Sequence, residues 1–487
     1  MNTSIIRYIL GHILKMEAAF MLLPCIVSIL YKEPREGLTF LAVLIICGLV
    51  GILASIKKPA SATFYLKEGC IATALSWILL SIFGALPFVL TGEIPSFTDA
   101  LFETVSGFTT TGATILESPE SLSYCSLFWR SFTHWIGGMG VLVFLLAVVP
   151  LSGASNFNLM KAESPGPSVG KLVPKVQYTA RFLYIIYVFL TIIEFIFLVA
   201  GNMSVFDALT TSFGTAGTGG FGVKNDSIMS YSPYIQWVVT VFMILFGINF
   251  NAYYFILIKQ FKKAFKIEEV KYYLIIIGVS ILMITASTFT TISSLSSTFR
   301  HASFQVASII TTTGFSTVDF NMWPQTAKCV LVLLMFIGAC AGSTGGGIKV
   351  SRLVVLAKTV VKELNSFIHP KSIKKINVNG KPVEHEVVRA VNVYFITFMI
   401  IFSFSVLLLS FEGKDAVTSF TAVAATINNI GPGLELVGPM GNFSCFNMFS
   451  KYVLIFDMLA GRLELFPLLI MFHPAIWKDV VRKKIKR

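Results

Sequence analysis

Four short stretches of this chain put oxygen ligands on a flexible backbone: Thr110-Thr111-Gly112, Thr218-Gly219-Gly220, Thr312-Thr313-Gly314 and Asn429-Ile430-Gly431. A cation that leaves water needs oxygens in place of its hydration shell, and rings of backbone carbonyls supply them. Aiming successive carbonyls at one point demands unusual φ and ψ, which glycine adopts at little cost. Threonine before the glycine adds a hydroxyl and a stiff χ1. One such turn is a weak signal, but four in matching context are a strong one. The closing glycines lie 108, 94 and 117 residues apart. Asp99 precedes Gly112 by 13 residues and Asp207 precedes Gly220 by 13, whereas Asp415 precedes Gly431 by 16, so the fourth copy is expected to be looser.

The elements that must position these turns are helical and apolar. Of 487 residues, 55% are hydrophobic and only 13% charged, against roughly 25% charged in a soluble domain. Such a composition excludes a water-soluble enzyme, a disordered chain and a disulfide scaffold. Ten apolar segments are predicted, near 5–30, 38–56, 69–91, 128–150, 181–201, 233–258, 272–293, 326–358, 388–410 and 450–472. The first reads as a retained helix rather than a cleaved signal. With both termini placed in the cytoplasm, the inner segments hold 29 of the 38 Lys and Arg residues and the outer ones 8, which follows the positive-inside bias. The net charge of +13 therefore speaks for membrane topology and not for nucleic acid. The outer face, with 13 acidic residues, would concentrate cations.

Each Gly turn follows a short, helix-like stretch such as FTDALFETVSGF or VFDALTTSFGTAG, too short to span. The unit is span, half-helix, turn, span, repeated four times in one orientation. The expected organisation is an N-terminal transmembrane hairpin (1–60) and four repeats (61–155, 156–262, 263–365 and 366–487, the last with a basic C-terminus). Backbone outside a helix cannot face lipid, so the turns must line something wet or lie inside protein. The half-helices would point their negative dipole ends at a common cavity.

Two further features suggest control. The eighth segment is interrupted at Gly338 and again at Gly342-Ser343-Thr344-Gly345-Gly346-Gly347, before Ile348 and Lys349. Each glycine disfavours helix by about 1 kcal/mol, so the helix should break there. A movable plug below the third turn and a rigid kink between close-packed helices both fit. Nucleotide-loop spacing is a decoy, because Ile348 stands where the lysine belongs and no strand precedes it. Arg462 reads as the one cation buried in a span, aimed at the conduction path near the glycine loop or paired with a carboxylate on another helix. Glu103, Asp226, Asp319 and Glu435 would gather cations at the mouth or simply face water. No function attaches to Asn249 or Asn251. His369 and His385 flank a basic inner loop suited to docking a cytosolic partner. Cys125 and Cys445 fall in predicted outer loops, as two free thiols or, less simply, one bridge.

The stretches SGFTTTGAT, GTAGTGGFG, ITTTGFST and NNIGPG, with GACAGSTGGGIKVSR and the final DMLAGRLELFPLL, resemble the potassium-uptake subunits of the bacterial Trk/Ktr/HKT superfamily. The likeness runs over essentially the whole chain. It implies an all-α integral membrane fold of four parallel M1–pore-helix–M2 repeats around a pseudo-fourfold pore. It also implies a homodimer in the bacterial inner membrane and conduction of K+, with Rb+ and Na+ as further candidates. By the same likeness the four turns are a K+ filter, and Gly342 to Gly347, Lys349 and Arg462 form a gate controlled by a cytosolic, TrkA-like nucleotide-binding ring. No organic cofactor is implied. The fourth turn, Asn429-Ile430-Gly431, departs from the Thr-Thr-Gly pattern. A secondary transporter coupled to Na+ or H+ is the alternative, and would need titrating carboxylates on the path, for which Glu194, Asp457 and Glu464 are the candidates. An intramembrane enzyme lacks any identifiable nucleophile–base pair.

Overall fold

The computed structural model describes residues 1–59, 65–140, 176–289, 294–370, 375–476 and 478. The end of the fourth apolar segment, the basic stretch 151–175 and the basic C-terminus lie outside the described residues, as do the expected boundaries after 60 and 155.

Apolar helices follow one another with polar caps at the turns. The hairpin is α1 (Thr3–Phe20), α2 (Leu22–Tyr31) and α3 (Pro34–Ser55). Repeat one comprises α4 (Leu66–Thr91), α5 (Phe97–Phe108) and α6 (Tyr124–Gly138). Repeat two has α7 (Val176–Ala200), α8 (Val205–Gly217), α9 (Pro233–Gly247) and α10 (Phe250–Leu257). Repeat three has α11 (Glu268–Thr288), α12 (Leu295–Ile310), α13 (Gln325–Ile337) and α14 (Val350–Ile368). Repeat four has α15 (His385–Ser410), α16 (Ala416–Ile427), α17 (Met448–Arg462) and α18 (Phe466–Phe472). A small β-hairpin, Asn377–Val378 against Lys381–Pro382, interrupts the basic stretch between α14 and α15.

Among the described residues, six helices are long and apolar enough to cross a membrane, namely Thr3–Tyr31, Pro34–Ser55, Leu66–Thr91, Ala180–Ala200, Glu268–Thr288 and His385–Ser410. They are the two arms of the hairpin and the first helix of each repeat. In repeats one, two and four the predicted continuous second spans are corrected by the structure. Each second helix stops 13 or 15 residues after its cap (Ser123, Ser232, Pro324 and Asn447). Fifteen residues reach about 22 Å, short of the roughly 30 Å hydrocarbon core. The breaks have local causes. Gly140 and Gly338 take φ of 79° and 73°. The chain turns 91° between Gly247 and Phe250, where the Asn249 side chain caps a new helix. Glu464 and Leu465 both have positive φ. Outside the third break composition stays mostly apolar, so a hydropathy window reads straight through.

The half-helices share one register. Ser96, Ser204 and Asp415 cap α5, α8 and α16 through side-chain oxygens, and each lies 16 residues before its glycine (Gly112, Gly220, Gly431). Asp415 therefore occupies the place of Ser96, not of Asp99, and the fourth copy is not looser. The third is the longer one: α12 has 16 residues where the others have 12 or 13, about one extra turn. Packing is cyclic. The second helix of each repeat lies against the half-helix of the next, α6 on α8, α9 on α12 and α13 on α16, and α17 closes the circle on α5.

The hairpin attaches by backbone contact. A Cβ added to Gly11 would lie 2.8 Å from the Gly51 carbonyl oxygen, and one on Gly51 2.9 Å from that of Gly11. Gly51→Leu is expected to part α1 from α3 and to lower stability by about 1–3 kcal/mol, read as a lower thermal unfolding midpoint in detergent.

Candidate pore and gate

All four half-helices end the same way. The first residue of each turn is left-handed, with φ of 56° at Thr110, 55° at Thr218, 59° at Thr312 and 55° at Asn429. Its N–H bonds three residues back, to Gly107, Thr215, Ile309 and Thr426, at 3.0–3.1 Å. The next N–H (Thr111, Gly219, Thr313, Ile430) bonds five back, to Ser106, Gly214, Ser308 and Ala425, at 2.8–2.9 Å. This pair of bonds is the Schellman motif, which glycine normally closes. Threonine or asparagine here costs on the order of 1–3 kcal/mol in backbone strain, held in place by the surrounding structure. The glycine that follows has positive φ again, 77°, 75°, 86° and 100° in turn. The fourth copy, for all its different side chains, has the same backbone as the other three.

The four turns meet in a ring. A Cβ on Gly112 would strike the Gly219 carbonyl, one on Gly220 the Thr313 carbonyl, and one on Gly314 the Ile430 carbonyl. One on Gly431 would lie 2.8 Å from the Thr111 carbonyl oxygen, which returns to the start. Each turn thus leans on the carbonyl of the next. The flanking Thr, Asn and Ile side chains are buried, whereas Gly112, Gly220 and Gly314 are partly exposed. Hydroxyl pairs brace two copies, Thr109 with Thr111 at 2.8 Å and Thr311 with Thr313 at 2.7 Å. Asn429 Nδ2 donates to Thr111 Oγ1 at 2.9 Å and joins copy four to copy one.

The glycine loop between α13 and α14 sits against this ring. Gly346 N–H donates to Thr312 Oγ1 at 2.6 Å, and a Cβ on Gly345 would lie 2.9 Å from the Thr311 carbonyl oxygen. Gly342 and Gly347 have positive φ, as does Lys349, whose buried ammonium bonds the Gly345 carbonyl. Ser343 Oγ donates to the Cys340 carbonyl at 2.6 Å, and Thr344 Oγ1 to that of Phe246 at 3.3 Å. Arg462 donates to the Thr344 carbonyl at 3.1 Å, to Gly138 at 2.9 Å and to Gly137. It therefore links the loop to the broken end of α6. Two residues downstream, Glu464 pairs with Arg352 of α14, whose guanidinium also stacks 4.0 Å over Tyr394.

Glu269 escaped the sequence reading. Its carboxylate accepts from Ala341 N–H at 2.6 Å and Ser351 N–H at 3.1 Å, so it clamps both ends of the loop. Asn249 Nδ2 holds its other oxygen at 3.2 Å, which gives Asn249 a role that its sequence context did not suggest. Phe250 N–H donates to the Gly342 carbonyl at 3.0 Å. The only sequence signal was an acidic pair, Glu268-Glu269, at the start of a span, a usual place for solvated carboxylates.

Several expectations are corrected. Arg462 is not the one buried cation. It is half-buried, whereas Arg130, Lys349, Arg352 and Lys451 are buried, each with a carboxylate or carbonyl partner: Glu103, Gly345, Glu464 and Asp99. Pairing makes such burial tolerable. Glu103 is not a mouth residue; it is 1% exposed behind the first turn. Asp319 caps a short 3₁₀ turn through Asn321 N–H, Glu435 is exposed, and Asp226 is half-buried beyond the second turn. Asp457 accepts from Ser405 on α15 at 2.8 Å, and so faces an outer helix. Cys125 lies in α6 rather than a loop, and its thiol and that of Cys445 are both free.

The ring makes one substitution decisive. Gly314→Ala would force its methyl onto the Ile430 carbonyl at a φ of 86°. It is expected to cut cation flux in proteoliposomes roughly tenfold or more, the factor that about 1.4 kcal/mol of distortion produces.

A protein-family model described as TrkH, cation transport protein, matches residues 37–479. The potassium uptake protein TrkH of Salmonella typhimurium is 34% identical over 98% of this chain and 100% of its own. TrkG of Escherichia coli K12 is 34% identical, again over 98% of this chain and all of its own. The crystal structure of the potassium transporter TrkH from Vibrio parahaemolyticus superposes with a TM-score of 0.88 at 33% identity, covering 98% of this chain and 100% of that one. These relatives are named as transporters, not enzymes. With a whole-length match in sequence and in fold, this all-α, multi-pass membrane chain belongs to the TrkH family of cation transport proteins.

Proposed function

We propose that this chain takes up K+ across the bacterial cytoplasmic membrane through a channel-like pore. The observation that carries the reading is the closed ring, in which each of four glycine turns abuts the carbonyl of the next. Thr110 to Gly112, Thr218 to Gly220, Thr312 to Gly314 and Asn429 to Gly431 serve as the filter, where peptide oxygens replace the water of a bare cation. Four half-helices end at the ring, and their C-terminal dipole ends, about half a negative charge each, favour a cation there. The driving force is the membrane potential, worth about 2.3 kcal/mol per charge for each 100 mV. The potassium uptake relatives and the TrkH crystal structure support K+ as the transported ion.

The glycine loop, Gly342 to Gly347, is the gate. It lies on the third turn, carries Lys349 and meets Arg462, so two positive charges stand next to the path when it is shut. Asp457 faces α15 instead of the ring, which disfavours a carboxylate relay of the kind a coupled symporter needs. A cytosolic nucleotide-binding ring of the TrkA kind, docked at the inner loops, would move α14 and hence the loop. Both termini are cytoplasmic in this reading, and the working unit is a homodimer.

The direct test is Rb+ or K+ current through the purified chain in liposomes held at a potential, alone and with a TrkA-like partner. Current that grows with the partner is expected, and none in either condition would end the channel reading. Arg462→Gln and Glu269→Gln are each expected to raise partner-free flux several-fold, the first by removing a charge and the second by loosening the loop. Unchanged flux in both would remove the gate from this account.

A further inference from the structure

The four corners of the ring are not built alike. In α6, Arg130 and His134 lie seven and eleven residues after the cap Ser123. The same positions hold Val239 and Met243 in α9, Leu331 and Met335 in α13, and Leu454 and Met458 in α17, all fully or almost fully buried. Nine residues before each ring glycine stand Glu103, Thr211, Gln305 and Ala422. Charge occurs in the first corner only. Arg130 Nε bonds Glu103 Oε1 at 2.6 Å, with both side chains at 3% exposure or less. Glu103 also accepts from Thr114 Oγ1 at 2.9 Å and from Ile115 N–H at 3.0 Å, just beyond the first turn. Arg130 donates to the Gly222 carbonyl at 2.9 Å, just beyond the second turn, and its guanidinium lies 3.6 Å over the Phe221 ring.

His134 completes the bracket one helical turn below. Its Nε2 accepts from Phe221 N–H at 3.2 Å, which assigns the proton to Nδ1; Nδ1 then donates to the Gly107 carbonyl at 2.7 Å. The imidazole so joins the end of the first half-helix to the segment that leaves the second turn. It also fills the space beside Gly219, where a Cβ would strike the ring. Three corners show that uncharged residues suffice for packing at this depth. A buried ion pair is no better a stabiliser than such residues, and its best-attested use is to fix one geometry among several.

We propose that Glu103, Arg130 and His134 are positioning residues for ion discrimination. They set the gap between the first and second filter segments, so that preference for K+ over Na+, rather than conduction itself, depends on them. The inference rests on the filter reading above. No ion need touch the three side chains; they act through the carbonyls of Gly107 and Gly222 and the N–H of Phe221.

The test uses the full-length protein in proteoliposomes under bi-ionic K+/Na+ conditions, with the reversal potential as the readout. His134→Leu removes both imidazole bonds. The double variant Glu103→Gln/Arg130→Met removes both charges together and leaves no unpaired one buried. Each is expected to lower the K+/Na+ permeability ratio roughly fivefold, the factor of one net hydrogen bond. His134→Gln, which retains a donor and an acceptor, is expected to recover part of it. If the double variant does not fold, the His134 pair decides. Reduced current at an unchanged ratio in His134→Leu would mean a packing role only and would overturn the proposal. A wild-type chain that passes no current would bring down the filter reading, and this inference with it; a selective wild type with equally selective variants would bring down this inference alone.

Discussion

A peptide group outside a helix or sheet has nowhere to bond in hydrocarbon, and that constraint organises the whole molecule. Four turns and four broken helices lie at membrane depth in this chain. Each must find a partner inside protein. The turns find it in one another, since each ring glycine admits the carbonyl of the next copy where a side chain would stand. The broken ends find it in polar side chains: Asn249 caps α10, Glu269 takes two loop N–H groups, and Arg462 takes three carbonyls from two different repeats. Function and satisfaction of the backbone are thus solved by the same contacts.

The ring is strained as well as closed. Three threonines and an asparagine hold left-handed backbone that a β-branched residue avoids. Paired Schellman bonds impose it in every copy. A flexible turn of four glycines would reach the same shape without strain, but would also leave it freely. Stiff χ1 at threonine and hydroxyl pairs such as Thr311 with Thr313 narrow the alternatives. For a proposed filter this matters, because discrimination between ions of similar charge depends on holding oxygens at chosen separations against the pull of the ion.

Much of this was legible from spacing. The Gly turns, the half-helices before them and the orientation of the repeats follow from sequence, because they are local patterns repeated four times. The second helices were misread for the opposite reason. Their breaks at Gly140, Ile248 and Glu464 involve one or two residues each, within composition that stays apolar. Only the third, with its run of glycines, announced itself. Asp415 was matched to Asp99 by residue type, although its cap geometry equates it with Ser96. Glu103 reads from sequence as a mouth residue, and nothing local marks Arg130 or Glu269 as a buried partner. Their partners lie 27 residues away for Glu103 and Arg130, and 72 and 82 residues away for Glu269, beyond the reach of any local pattern.

Those long-range pairs also explain how a fourfold scaffold departs from fourfold behaviour. Identical backbone at four corners would give four equivalent places to move. Here the first corner is braced by an ion pair and an imidazole, whereas the third carries a glycine loop held by hydrogen bonds to Glu269, Thr312, Lys349 and Arg462. Under the proposed gate, α14, which leaves that loop toward the cytoplasm in the proposed topology, is the lever on which a partner would act. Arg352 ties the lever to α17 through Glu464, two residues from Arg462, so a shift of α14 reaches both the loop and the charge beside it. Rigid discrimination and mobile gating can coexist in one ring because the side chains behind it differ from corner to corner.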